Sequence, residues 1–138
     1  MQVELGPNGR FGYPHLEAYF ADSSDRFAFL IHHEGHIAGF ALVKRGSPFS
    51  DDLRVLDVAE FFVLRRFRSR GVGREAAQLL WRRLPGAWSV RAADKNPRAV
   101  AFWREAIAVY GQGAASESQR TTATGSWTVF SFDSEPAP

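Results

Sequence analysis

From Arg26 the chain alternates: Phe27, Phe29 and Ile31 fall on one side of an extended backbone and Ala28, Leu30 and His32 on the other, the period of a strand. Residues 37–44 form a second run without helical spacing, and the short polar link Glu34-Gly35 between the runs predicts an antiparallel hairpin. A loop follows at Ser47-Pro48-Phe49-Ser50-Asp51-Asp52. Residues 55–64 are apolar enough on both sides to predict a strand covered on both faces. The period then changes, because Val72, Ala76, Leu80 and Leu84 fall four apart and Leu79 extends the same face, as in an amphipathic helix. Pro85-Gly86 ends it. Residues 88–92 read as a short strand, and Asp94-Lys95-Asn96-Pro97 opens a second helix with Asn96 as N-cap and Pro97 at the first helical position. Val100, Trp103 and Ile107 mark its buried stripe. Gly111 and Gly113 close it, a polar segment rich in Ser, Thr and Gln follows, and residues 127–132 alternate as a final strand.

The predicted order ββ, β, α, β, α, β is that of an α/β (α+β) fold, a mixed sheet with flanking helices. The whole chain, residues 1–138, reads as one domain, with an irregular segment at 1–25, a short helical piece near 16–20, and a frayed tail at 133–138. Trp81, Trp88, Trp103 and Trp127 read as packing residues, and His32, His33 and His36 as exposed residues around the hairpin turn.

Composition removes several classes of chemistry. Cysteine is absent, which excludes disulfides, cysteine metal sites and a catalytic thiol, and the four histidines lack a helical metal-binding spacing. No metal is expected. No run approaches the length of a membrane span, and the first residues carry no leader pattern, so the expectation is a cytoplasmic protein without a membrane partner.

Charge changes the picture locally. The net charge is only +2, yet the basic residues are 15 arginines against two lysines, and five arginines fall within residues 65–74. Guanidinium groups present planar donor forks suited to phosphate. In the same stretch Arg68-Ser69-Arg70-Gly71-Val72-Gly73 joins a buried strand to a helix. Such a turn exposes amide N–H groups at the positive end of the helix dipole. Gly71 and Gly73 have no β-carbon to hold a diphosphate off the backbone, and Arg68, Arg70 and Arg74 add charge. It is not a P-loop, because no Gly-Lys-Ser or Gly-Lys-Thr follows, nor a dinucleotide fingerprint, because only two glycines are present. A solvated surface run and a nucleic-acid patch are the competing readings of the arginines.

These residues carry a resemblance to the GNAT superfamily of acyl-CoA-dependent N-acetyltransferases. Its signature, Arg or Gln, two residues, Gly, one residue, then Gly or Ala, is met at Arg68 to Gly73. Glu60-Phe61-Phe62-Val63-Leu64 resembles the family's central strand, and Asn96-Pro97-Arg98-Ala99-Val100-Ala101-Phe102-Trp103 its second CoA-contacting helix. The resemblance implies transfer of an acetyl group from acetyl-CoA to a primary amine by direct attack. It implies that backbone groups near Phe61, Phe62 and Val63 pair with the acyl carbonyl and pantetheine, and that Arg68, Ser69, Arg70, Gly71, Val72, Gly73 and Arg74 hold the diphosphate. Asn96, with Ala99, Phe102 and Trp103 on its helix, would contact the pantetheine arm. A carboxylate on the strand is the natural base for the amine, Glu60 first and Asp57 second; both can instead pair with nearby arginines.

Two departures matter. Many members carry Tyr after the Phe at position 102, as an acid for the leaving thiolate; this chain has Trp103, so Tyr110 or water must serve. Only 26 residues precede Phe27, so the acceptor-side wall is expected to be rebuilt, by Tyr13, Tyr19 and Phe20 or by a second subunit of a homodimer. The alternatives to an enzyme are a CoA-binding sensor or scaffold and, behind it, a nucleic-acid binder.

Overall fold

The structure is a computed structural model that describes residues 3–7, 25–68, 70–110 and 115–134. They divide into two compact units, one from residues 1–45 and 58–80, the other from residues 46–57 and 81–138.

In the first unit, strands β1 (Val3–Pro7), β2 (Arg26–His33) and β3 (His36–Arg45) form an antiparallel meander. The hairpin predicted at Glu34-Gly35 is present. Its two-residue loop has φ of 51° at Glu34 and 80° at Gly35, the positive pair that matches the twist of the flanking strands. The N-terminal segment corrects the expectation of an irregular start, since Val3 to Pro7 pairs with His33 to Phe29. Five residues ending in Gly-Pro show too little alternation to announce a strand. Proline is tolerated on such an edge.

The next strand, β4 (Leu56–Val63), has its first two residues in the second unit and the rest in the first. Helix α1 (Val72–Arg83) begins in the first unit with Val72, Ala76 and Leu80 fully buried, as their spacing predicts. Val72 and Ala76 join Ile31, Ala38 and Phe67 in one core cluster, flanked by Phe61, Val63 and Leu79. Ala28, Phe40 and Leu42, with Ala59 against them, make a second cluster. The expected coverage of β4 on both faces holds only at its start, for Glu60 is exposed and Phe62 retains 36% of its surface. Composition reports what a strand can bury; its neighbours decide what it does bury.

In the second unit, Leu56 and Asp57 of β4 pair in parallel with Trp88 and Ser89 of β5 (Gly86–Ala93), so the sheet is mixed as expected. Strand β7 (Gly125–Ser134) lies antiparallel to β5, and β6 (Ser116–Thr122) to β7. The polar segment ahead of the final strand, for which the sequence predicts no element, therefore contains a strand. All seven residues of β6 are exposed, so no apolar alternation could reveal it. The frayed tail expected at 133–138 is corrected at its first two residues, where Asp133 and Ser134 pair with Ala87 and Gly86; residues 135–138 lie outside the described residues. Ser134 is buried and its hydroxyl accepts the Trp88 indole N–H at 3.0 Å. Helix α2 (Pro97–Tyr110) buries Trp103, Ala106 and Ile107. The rings of Trp81, Trp103, Tyr110 and Phe132 pack together there, Trp81 meeting Phe132 edge-on at 4.9 Å.

Candidate active site

The end of β4 is held from one side by β3. The Leu64 N–H donates to the Ala38 carbonyl at 2.7 Å, and the Phe62 carbonyl abuts Gly39. Backbone polar groups alternate along a strand, so the N–H and C=O of Phe61 and Val63 are directed away from β3. On that outer edge the Arg68 Nε–H donates to the Val63 carbonyl at 2.7 Å, and the Arg68 guanidinium lies 5.3 Å over the Phe62 ring.

Below β4 the chain makes a single 3₁₀ turn at Arg65–Phe67, with Phe67 buried and Arg66 over its ring at 4.7 Å. Arg68 leaves this turn in an extended conformation. Gly71 then has φ of 79°, a left-handed backbone that costs any residue with a β-carbon roughly 1–2 kcal/mol. The first i→i−4 bond of α1 runs from the Glu75 N–H to the Gly71 carbonyl, 3.0 Å. The amides of Val72 and Gly73 precede that bond and have no acceptor within the helix. Arg70 and Arg74 are exposed beside them. Glu75 is the acidic residue of this first turn. Ser69 lies outside the described residues, as do Tyr13, Tyr19, Phe20 and the helical piece expected near 16–20.

In the second unit Asn96 caps α2 as its sequence predicts. Its Oδ1 accepts the Ala99 N–H at 3.2 Å, and its carbonyl accepts the Val100 N–H at 3.2 Å. The loop carrying this cap is anchored to β7, where the Thr128 hydroxyl donates to Asp94 Oδ1 at 2.5 Å and the Asp94 N–H donates to the Ser126 carbonyl at 3.0 Å. Phe102 meets Trp103 edge-on at 4.8 Å, Ala99 is half-buried, and Trp103 is buried against Trp81. Tyr110, the last residue of α2, sets its ring 5.2 Å from Trp81.

The two candidate carboxylates differ sharply. Glu60 is exposed. Asp57 is completely buried and takes the Arg91 guanidinium on both oxygens, at 3.3 and 3.4 Å. Arg91 was not singled out in the sequence because its spacing on β5 carries no signal of a partner on β4. Gly39 was also missed, although a glycine inside an apolar strand is a sign of close backbone approach. The expectation of exposed turn histidines is corrected at His33, which is buried with its ring edge-on to Phe67 at 5.7 Å and Nε2 3.7 Å from Glu34. Its neighbour Phe67 comes from a distant part of the chain, so local polarity at the turn could not predict this burial.

The family model described as the Acetyltransferase (GNAT) family matches residues 4–107. Comparison with curated protein sequences finds no match. Among solved structures, an acetyltransferase from Thermus thermophilus is similar with a TM-score of 0.68 at 16% identity, covering 96% of this chain and 97% of the other. The ribosomal-protein-S18-alanine N-acetyltransferase of Escherichia coli has a TM-score of 0.62 at 14% identity, covering 99% and 97%. The aminoglycoside acetyltransferase AAC(6')-Ib, solved with coenzyme A, has a TM-score of 0.64 at 14% identity, covering 79% and 66%. Identities this low speak for a shared fold.

Proposed function

Because this chain belongs to the GNAT family of acetyltransferases, we propose that it transfers an acetyl group from acetyl-CoA to a primary amine by direct attack, with both substrates bound together. The observation that carries the reading is the start of α1. A left-handed Gly71 opens a helix whose Val72 and Gly73 amides lie ahead of its own ladder, and exposed Arg70 and Arg74 flank it. Helix-end amides with guanidinium groups beside them suit a diphosphate. The turn from Arg70 to Arg74 holds that group.

Acetyl-CoA supplies the acetyl group as an activated thioester. The outer edge of β4 at Phe61 and Val63 aligns it, since a fixed backbone N–H stabilises the negative charge that develops on the carbonyl oxygen under attack. Glu60 takes the proton from the amine, directly or through water. Asp57, enclosed with Arg91, fits a structural ion pair better than a base that must exchange protons. Asn96 spends its Oδ1 on its own helix, which leaves its NH₂ group for the pantetheine arm. The Trp103 indole N–H is far too weak an acid to protonate the leaving thiolate and the Tyr110 ring packs against Trp81, so we assign that proton to water.

The fold leaves the acceptor open. Similar structures are named for acceptors as different as a ribosomal-protein alanine and an aminoglycoside. The test is calorimetric titration with acetyl-CoA, followed by thiol release across a panel of amines. Saturable binding with amine-dependent thiol release is expected, and Gly71→Ala should weaken binding by up to roughly tenfold where the free turn relaxes out of the left-handed backbone that the bound turn requires, and should otherwise lower stability by about 1–2 kcal/mol. Tight binding with no amine-dependent release would favour a CoA-binding sensor. Salt-sensitive binding to oligonucleotides with indifference to acetyl-CoA would overturn both.

A further inference from the structure

The Val63–Leu64 peptide group is bonded at both ends, and the two bonds come from opposite sides of β4. Its carbonyl accepts the Arg68 Nε–H at 2.7 Å, while its N–H donates to the Ala38 carbonyl at 2.7 Å. A cationic donor on the carbonyl polarises the amide and strengthens the bond made by the N–H of the same group. The Arg68 guanidinium is also over the Phe62 ring, and that ring rests against Phe40 at 5.8 Å. One arginine therefore bonds the peptide that leads out of β4 and lies over the side chain before it.

We propose that Arg68 is a positioning residue for acetyl transfer: it holds the outer edge of β4 in the orientation the thioester needs, instead of serving chiefly as a phosphate clamp. This rests on the acetyl-transfer reading above. The geometry separates the two roles, because bracing uses the N–H at Nε, whereas clamping phosphate needs only a positive charge within reach. Glutamine places a neutral N–H donor the same number of bonds from the backbone as Nε. Lysine keeps the charge and has a methylene there.

The test compares Arg68→Gln and Arg68→Lys in the full chain. Without ligand, amide hydrogen exchange at Leu64 is followed by NMR. Arg68→Lys should speed this exchange by about five- to tenfold, the scale of one net hydrogen bond, and Arg68→Gln should stay within about twofold of the parent. With ligand, Arg68→Lys should bind acetyl-CoA about five- to tenfold more weakly while ADP, which has a diphosphate and no pantetheine, binds as before; Arg68→Gln should restore acetyl-CoA. Unchanged Leu64 exchange in Arg68→Lys would overturn the brace. So would a loss of acetyl-CoA and ADP binding together in Arg68→Gln, the signature of a phosphate clamp. If the parent protein binds neither compound, the acetyl-transfer reading falls and the proposal with it, and the ligand-free exchange data distinguish that failure from a failure of the brace alone.

Discussion

The Phe62 carbonyl occupies the place where a β-carbon on Gly39 would have to be, and Val63 Cα is 2.9 Å from the same point. The obstacle is main chain, so no rotamer change relieves it. Gly39→Ala should lower stability by about 1–3 kcal/mol, the range for forced overpacking, measured by urea denaturation. Truncating the ring in Gly39→Ala/Phe62→Ala should bring no recovery. A full recovery would mean that side-chain crowding, not the carbonyl, is the cause.

Asp57 and Glu60 should separate cleanly into structure and chemistry. Asp57→Ala leaves the Arg91 guanidinium without its buried partner and is expected to cost about 3 kcal/mol, towards the lower end for broken buried pairs because Arg91 keeps some contact with solvent. Glu60→Gln, at an exposed site, should change stability by less than about 0.5 kcal/mol. It should lower amine-dependent thiol release by roughly a hundredfold or more. Retained release in Glu60→Gln would remove it as the base.

The Asn96 side chain can be divided between its two proposed duties. Asn96→Ala loses the cap on the Ala99 N–H and should cost about 1 kcal/mol in thermal or chemical melts. Asn96→Asp keeps an acceptor and should keep stability, yet it has no NH₂ group and brings a negative charge, so acetyl-CoA affinity should fall. Equal affinity in the parent and Asn96→Asp would confine the residue to capping.

Acid should expose one surface pair. Arg104 donates to both oxygens of Glu117 at 2.9 Å, and this hydrogen bond holds the Glu117 carboxyl below the ordinary value of 4.5. A lowered folded-state value stabilises above the unfolded value and loses its effect as pH falls through the folded one. The melting temperatures of the parent and Glu117→Gln should therefore differ slightly at neutral pH and converge in acid. Added salt should shrink the difference, since the pair is exposed.

Local chemistry made much of the protein legible. The Glu34-Gly35 hairpin, the face of α1 through Val72, Ala76 and Leu80, and the Asn96 cap each depend on residues a few positions apart. The strand-turn-helix at residues 63–73 follows from the same kind of short-range rule, and it carried the family resemblance. β1 and β6 stayed hidden because Val3 to Pro7 is short and all of Ser116 to Thr122 faces outward.

What the sequence alone determined is the succession of elements from β2 through α2, the final strand β7 and the place of a candidate anion-binding turn, since backbone periodicity, caps and left-handed glycine are properties of adjacent residues. Only the tertiary structure decided that Asp57 is enclosed by Arg91, that His33 is buried on Phe67, that Gly39 receives the Phe62 carbonyl and that Arg68 turns back onto Val63. Those relationships depend on which surfaces meet when distant segments pack or the chain folds back, and no local pattern encodes the partner.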